Sequence, residues 1–296
     1  MSRVCAFLTM ENATDFFVYD HLTFDPLQQL GWQVVEIPWS LPSQAWAELD
    51  AVVIRSPWDY CTAPQRFLAT LSAIEHAGTR LFNPLRICQW NLDKGYLREL
   101  QNRGVPIVPT QWIDRLDETR LANLFDQAGS KPCLVVKPTI GANADGIYVL
   151  SPDETQHCSR AVSRYATLPA MVQPFLRSIQ TTGEYSLCYF AGQYSHSILK
   201  RPRAGDFRVQ EEHGGSIRAI IPSEPIVQVA NQALSALGET LLYARVDIVL
   251  LDDGSPAVSE LELIEPSLYF SFDPESPRRF AKALDEMWTS ASLPKR

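Results

Sequence analysis

Hydrophobic positions in the first third of the chain alternate between the two-residue period of a strand and the wider spacing of a helix. Arg3–Thr9 predicts a strand, followed by a polar loop and a short apolar strand over 33–37. Residues 51–55 (Ala-Val-Val-Ile-Arg) are a β-branched run with no polar face, the pattern of a strand buried on both sides. The run stops at Ser56-Pro57-Trp58-Asp59. A helix follows, with Thr62 as its cap, Pro64 in its first turn, and Phe67, Leu71 and Ile74 on one face. Strands alternating with helices predict a parallel sheet, and such sheets take ligands beyond the carboxyl ends of their strands. The 56–60 turn therefore reads either as a ligand-facing loop or as a plain proline turn with Trp58 packed locally.

A second helix is predicted over 92–103, closed by Gly104 where a left-handed residue is needed. Beyond Val105-Pro106 short strands dominate: 133–137, 146–150, 171–173, 185–190 and 194–199, the last two joined across Gly192. A helix over 225–237 turns Ile226, Ala230, Ala233, Leu234 and Leu237 to one side. Strands at 244–251 and 257–263 flank Asp252-Asp253-Gly254, a strong hairpin signal. A last helix starts at Pro277, capped by Ser276, and buries Phe280, Leu284 and Met287. The texture divides the chain near residue 85, into an N-terminal α/β substrate-side domain (1–85) and a larger strand-rich part (86–296).

Composition narrows the function. Hydrophobic residues make up 46% and charged residues 20% of the 296, enough for a sizeable core. Net charge is −8, from 26 Lys and Arg against 34 Asp and Glu, with no dense basic block, so nucleic acid is not an expected partner. No apolar run spans a bilayer, and the N-terminal stretch reads as a strand and not a signal peptide. Six scattered cysteines without C-x-x-C pairing read as free thiols in a reducing, cytoplasmic setting.

Four local signals carry candidate chemistry. Lys137 ends the apolar strand Leu134-Val-Val-Lys-Pro138, where an ammonium wants an anion, and the small-residue loop 139–146 follows it. A hairpin with a snorkelling lysine fits the same residues. Asp247 lies within Arg245-Val-Asp-Ile-Val-Leu, and Glu260 and Glu262 share one face of the returning strand. Carboxylates gathered this way repel unless a divalent cation bridges them; oxygen-only donors favour Mg²⁺ or Mn²⁺ over zinc. Arg245 shares the face of Asp247, and a phosphate is an anion both can serve. Finally, the charged loop 200–215, with Arg208, His213 and a glycine pair, reads either as a solvated loop or as a lid.

Taken in order, Lys94 in Asn-Leu-Asp-Lys, Lys137 in Val-Val-Lys-Pro, the Gln173-Pro-Phe-Leu176 segment, Glu184, and the Arg-x-Asp and Glu-x-Glu hairpin resemble the ATP-grasp ligases of the glutathione-synthetase-like group. The stretches 199–215 and 260–267 look most like the O-ureido-D-serine cyclo-ligase type. The resemblance implies an N-terminal parallel α/β domain followed by a two-lobed ATP-grasp module, with a lid lobe over about 106–174 and a C-terminal lobe over 175–296. It implies that Lys94 and Lys137 hold the nucleotide phosphates, Lys137 on the catalytic side as well, with Lys200 also in the ATP site. Gln173, Phe175 and Leu176 would form the adenine hinge, and Glu184 would take the ribose. Asp247, Glu260 and Glu262 would bind Mg²⁺, with Arg245 on the transferring phosphoryl group and Arg208 and His213 on the catalytic side. Ser56, Trp58, Asp59 and Glu265 are the substrate-side candidates. The activity so implied is ADP-forming ligation of a small amino-acid-like acid to an amine through an acyl phosphate, in one molecule or between two. A homo-oligomer stays open. A nucleotide-binding regulatory module without turnover is the alternative.

Overall fold

The computed structural model describes residues 2–41, 45–129, 132–141, 145–203 and 214–292. Its first sheet is built from β1 (Arg3–Thr9), α1 (Phe24–Gln29), β2 (Trp32–Pro38), β3 (Ala51–Ser56), α2 (Pro64–His76) and β4 (Arg80–Phe82). The strand order is β2-β1-β3-β4, all parallel, as the alternating pattern predicts. β3 is buried at every position, and α2 buries Phe67, Leu71 and Ile74 against the sheet. Thr62 is not the cap of α2: Ala63 takes that position, and the Thr62 hydroxyl donates to Asp59 O (2.9 Å).

The predicted 92–103 helix forms only as α4 (Tyr96–Asn102), and a separate helix that the spacing does not predict, α3 (Leu85–Asn91), precedes it. Asp93 causes the break by accepting the Gly95 amide on its own side chain (2.7 Å), a local bond that competes with helix continuation. Gly104 closes α4 with φ of +85°, as expected.

A second sheet follows from β5 (Gln111–Ile113), α5 (Glu118–Ala128), β6 (Leu134–Pro138), β7 (Tyr148–Leu150), α6 (Thr155–Tyr165) and β8 (Ala170–Pro174), in the antiparallel order β5-β8-β6-β7. Leu121, Leu124, Val136, Ala161 and Tyr165 make its core.

The third sheet comprises β9 (Glu184–Phe190), β10 (Gln193–Arg201), β11 (Ser216–Ala219), β12 (Tyr243–Leu250) and β13 (Pro256–Glu262), in the antiparallel order β11-β10-β9-β12-β13. A short α7 (Arg177–Thr181) leads into it and α8 (Glu224–Ser235) covers it, burying Ile226, Ala230 and Ala233. The β9–β10 turn places Ala191 and Gly192 at positive φ, the twist a tight hairpin requires. The outer edge of β13 has no further strand among the described residues. Backbone and side chains close it together: Val108 N donates to Val258 O (3.1 Å) and Val258 N to Pro106 O (2.9 Å), while Asn91 donates to Leu261 O (2.8 Å) and accepts from Leu263 N (2.9 Å), and Tyr96 Oη accepts from Leu261 N (2.9 Å).

The last helix, α9 (Ser276–Ser292), joins the first and third sheets. Its Phe280 meets Phe7 of β1 edge-on (6.3 Å) and Phe190 of β9 (5.5 Å), inside one buried cluster with Tyr243 and Phe270.

Candidate active site

Between the second and third sheets lies a cavity of about 280 Å³, its far side bounded by the end of the parallel sheet. Its floor is the inward face of β9, β10, β12 and β13. Strand alternation puts Arg245 and Asp247 on one face of β12, and register sets Asp247 opposite Glu260 and Arg245 opposite Glu262. On the other side β9 aligns Ser186 with Asp247, and β10 aligns Lys200 with Glu184. Gly183 makes this last pairing feasible, since a Cβ there would collide with the Lys200 carbonyl.

These charges hold one another. Asp247 Oδ1 accepts from Ser186 Oγ (2.5 Å) and Arg245 Nε (2.9 Å), and its Oδ2 accepts from Arg245 Nη2 (2.7 Å) and Lys200 Nζ (3.3 Å). Lys200 also pairs with Glu184 (2.5 Å), Arg245 with Glu262, and Lys94 with Glu260 (3.0 Å). Burial alone would raise the Asp247 carboxyl, but the charges of Arg245 and Lys200 hold it well below the usual carboxylate range. Burial pulls Lys200 down, and Asp247 and Glu184 outweigh it, leaving the ammonium well above its ordinary value.

The two wall lysines differ. Lys94 Nζ donates to Gly141 O (2.8 Å), and Thr139 Oγ1 reaches Asp93 (3.0 Å), so the start of α4 is tied to the loop after β6. Lys137 makes no hydrogen bond or ion pair among the described residues, and burial, with Lys94 nearby, lowers its ammonium. In the hinge, Gln173 Nε2 donates to Thr110 Oγ1 (2.8 Å) and the Phe175 amide to Cys133 O (2.9 Å), which fixes this segment to its sheet. Gln173, Phe175 and Leu176 all line the cavity.

On the substrate side Trp58 and Glu265 line the cavity, together with Phe16, Tyr60 and Tyr269. Ser56 and Asp59 do not, which corrects the expectation for both. Ser56 is the buried last residue of β3, its carbonyl accepting from Met10 N (3.0 Å), and the Asp59 carboxylate accepts from Trp39 Nε1 (2.6 Å). Arg208 and His213 lie outside the described residues.

The expectation of three carboxylates converging on one metal also changes. No group of three His, Cys, Asp or Glu side chains among the described residues is arranged to hold a metal ion, because both oxygens of Asp247 are taken by Arg245, Lys200 and Ser186. Glu260 and Glu262 remain as hard oxygen donors facing the cavity, and that set fits Mg²⁺, which is usually held by one or two carboxylates together with ligand phosphates.

Sequence reasoning missed Tyr60, Tyr269 and Phe16. Tyr269 is held at a left-handed φ of 47°, and nothing in the residue type announces that.

Residues 5–83 match the family described as the N-terminal domain of D-cycloserine synthetase DcsG. Over 84% of its length the chain is 34% identical to the cycloserine biosynthesis protein DcsG of Streptomyces lavendulae, covering 86% of that protein. The crystal structure of D-cycloserine synthetase DcsG superposes with a TM-score of 0.85 at 30% identity, covering 96% of this chain and 99% of that one. The D-alanine–D-alanine ligase of Bacillus anthracis, complexed with ATP, shares the fold at a TM-score of 0.69 and 15% identity, over 98% of each chain. Fold, cavity and relatives agree: the chain is a carboxylate–amine ligase of the ATP-grasp fold and belongs to the D-cycloserine synthetase family.

Proposed function

We propose that this enzyme closes a ring within one small amino-acid-like substrate, of the O-ureido-D-serine kind, releasing ADP and phosphate, with the ureido carbamoyl group lost by hydrolysis as carbon dioxide and ammonia to give D-cycloserine or a close analogue. The observation that carries the reading is the single cavity on which Lys94, Lys137, Lys200, Arg245 and the acids of β12 and β13 converge. The similarity to the DcsG proteins supports the substrate class.

In this mechanism the hinge at Gln173, Phe175 and Leu176 seats the adenine, and Glu184 faces the ribose. Lys137, the wall cation without a partner among the described residues, takes the phosphates together with Lys94. Glu260 and Glu262 would hold Mg²⁺ (or Mn²⁺), which supplies charge neutralisation on the phosphates. Arg245 is placed to stabilise charge on the phosphoryl group as the substrate carboxylate attacks it, so that the P–O bond to ADP breaks and an acyl phosphate forms. The oxygen-bound nitrogen of the same molecule then attacks the acyl carbon, giving up its proton to water as phosphate leaves, and hydrolysis of the N-carbamoyl group releases carbon dioxide and ammonia. Tyr60, Trp58 and Phe16 keep that end of the cavity poor in water, which protects the acyl phosphate from hydrolysis. Asp247 holds Arg245 and Lys200 in position.

The test is substrate-dependent phosphate release from MgATP with O-ureido-D-serine and a panel of amino acids, with hydroxylamine added to trap the acyl phosphate. Acid-dependent release and hydroxamate formation are expected. Nucleotide binding with no acid-dependent turnover would withdraw the proposal.

A further inference from the structure

After β13 the chain runs along the cavity as residues 264–268, and each of these five successive carbonyls accepts from a side chain. Ile264 O accepts from the Tyr243 hydroxyl (2.8 Å), Glu265 O from Trp58 Nε1 (2.9 Å) and Pro266 O from Arg55 Nη2 (3.1 Å). Ser267 O accepts from Arg245 Nη1 (3.2 Å) and Leu268 O faces His196 Nε2 (2.9 Å). The donors come from β3 and the turn after it, from β12 and from β10. Arg55 is itself fully buried and pinned by Asp20 (2.9 Å). A backbone fastened at every residue cannot swing, so the side chains it presents are aimed.

One of them is aimed without a partner of its own sign-opposite kind. The Glu265 side chain faces the cavity, half-buried, with Tyr60, itself buried, lining the cavity beside it. No Lys or Arg among the described residues comes within ion-pair distance of it, although Glu184, Asp247, Glu260 and Glu262 all have such a cation. A half-buried carboxylate that faces the cavity with no cation beside it among the described residues is an incomplete site, and the group that completes it is a cation. Lys94 and Arg245 lie near enough to act on Glu265 electrostatically. A ligand carboxylate drawn to those cations, with an ammonium drawn to Glu265, describes an α-amino acid.

We propose that Glu265, fixed by this strap beside Tyr60, binds the α-ammonium of the substrate and selects amino acids over simple carboxylic acids. The inference rests on the ligase reading above. It involves no covalent step.

The experiment measures phosphate release from MgATP by the full chain, using O-ureido-D-serine and 3-(ureidooxy)propanoic acid, which lacks the amine. Wild type should favour the amine-bearing acid by about 10–100-fold in kcat/KM, the scale of a charge-assisted contact in a desolvated site. In Glu265→Gln that preference should vanish, through loss on the amino acid alone, while the deamino acid changes less than about threefold. Tyr60→Phe should reduce the preference in the same direction by a smaller factor. Calorimetric binding of a non-hydrolysable ATP analogue, unchanged in Glu265→Gln, shows that the variant is folded. Equal losses on both acids would overturn the inference, as a general-base or purely structural role would produce. An undiminished preference in Glu265→Gln would overturn it too. Wild-type turnover without discrimination withdraws this inference and leaves the ligase standing, whereas no acid-dependent turnover with any amino acid withdraws both.

Discussion

The floor of the cavity and the strap beside it solve opposite problems. On the floor, side-chain charges satisfy one another: Asp247 sits between Arg245 and Lys200, and Glu184, Glu260 and Glu262 each have a cation. On the strap it is the backbone that is saturated, at five consecutive carbonyls, while the Glu265 carboxylate has no ion-pair partner among the described residues. A self-neutralised floor tolerates arriving phosphates by exchanging partners. A rigid strap with one unmet charge discriminates between ligands, because what it offers does not adjust.

Breaking the floor should have the largest effect. Asp247→Asn removes the shared counter-ion of two buried cations, and a loss of about 3–5 kcal/mol is expected from the uncompensated charges. With Arg245 no longer held, kcat/KM should fall by about a thousandfold. Urea denaturation and phosphate release check the two parts, and near-normal turnover would remove Asp247 from its assigned place.

Lys137→Met separates ligand binding from floor integrity. Lys137 has no ion pair or hydrogen bond to lose among the described residues, so stability should stay level or rise slightly. Affinity for an ATP analogue should drop by about 10–100-fold, the worth of a charge-assisted phosphate contact. A melting point that falls with the affinity would mean that Lys137 belongs to the structural network.

Loosening the strap comes next. Trp58→Phe keeps an aromatic ring, though a smaller one, and deletes the donor to Glu265 O, leaving a carbonyl short of its partner at about 1–2 kcal/mol. Turnover should decline by about tenfold with nucleotide affinity intact, and a matching decline in nucleotide affinity would show that the two regions are not separate.

The smallest effect sharpens the contrast through pH. Burial, partly offset by Tyr60, raises the Glu265 carboxyl from 4.5 to about 7. Between those values the native chain binds more protons at this site than the unfolded one, so the site lowers stability as pH rises from about 4.5 through 7. Glu265→Gln should therefore melt about 2–4 °C above wild type at pH 8 and coincide with it at pH 4, with water at the half-buried carboxyl damping the difference. Melting curves at the two pH values decide it, and a variant less stable at pH 8 would contradict the unmet charge.

How much of this was legible in the sequence depended on how local each signal was. β1, β3, the β9–β10 hairpin and the acid hairpin follow from periodicity and turn chemistry. Strand alternation also fixes the shared faces of Arg245 with Asp247 and of Glu260 with Glu262, whereas the gathering of Lys94 and Lys137 with them came from the resemblance to the ATP-grasp ligases. The helices α5 and α6 were not read, since their apolar faces are narrow: α6 buries only Ala161 and Tyr165. Asp93 interrupts a helix by a side-chain bond that helical spacing does not reveal. Ser56 and Asp59 look like ligand-facing polar groups in the sequence, but one is sealed in a strand and the other is used by Trp39, a residue twenty positions away. The strap was least visible, because every residue has a carbonyl and its donors lie as far off as Arg55, 211 positions earlier.

The closure of β13 carries a consequence for the working life of the enzyme. Asn91 copies the donor and acceptor of a peptide unit, so the sheet terminates without offering a template to a neighbouring molecule. Glu260 and Glu262 therefore sit on an outermost strand whose edge groups are already paired, which makes that rim of the cavity a poor seam for aggregation.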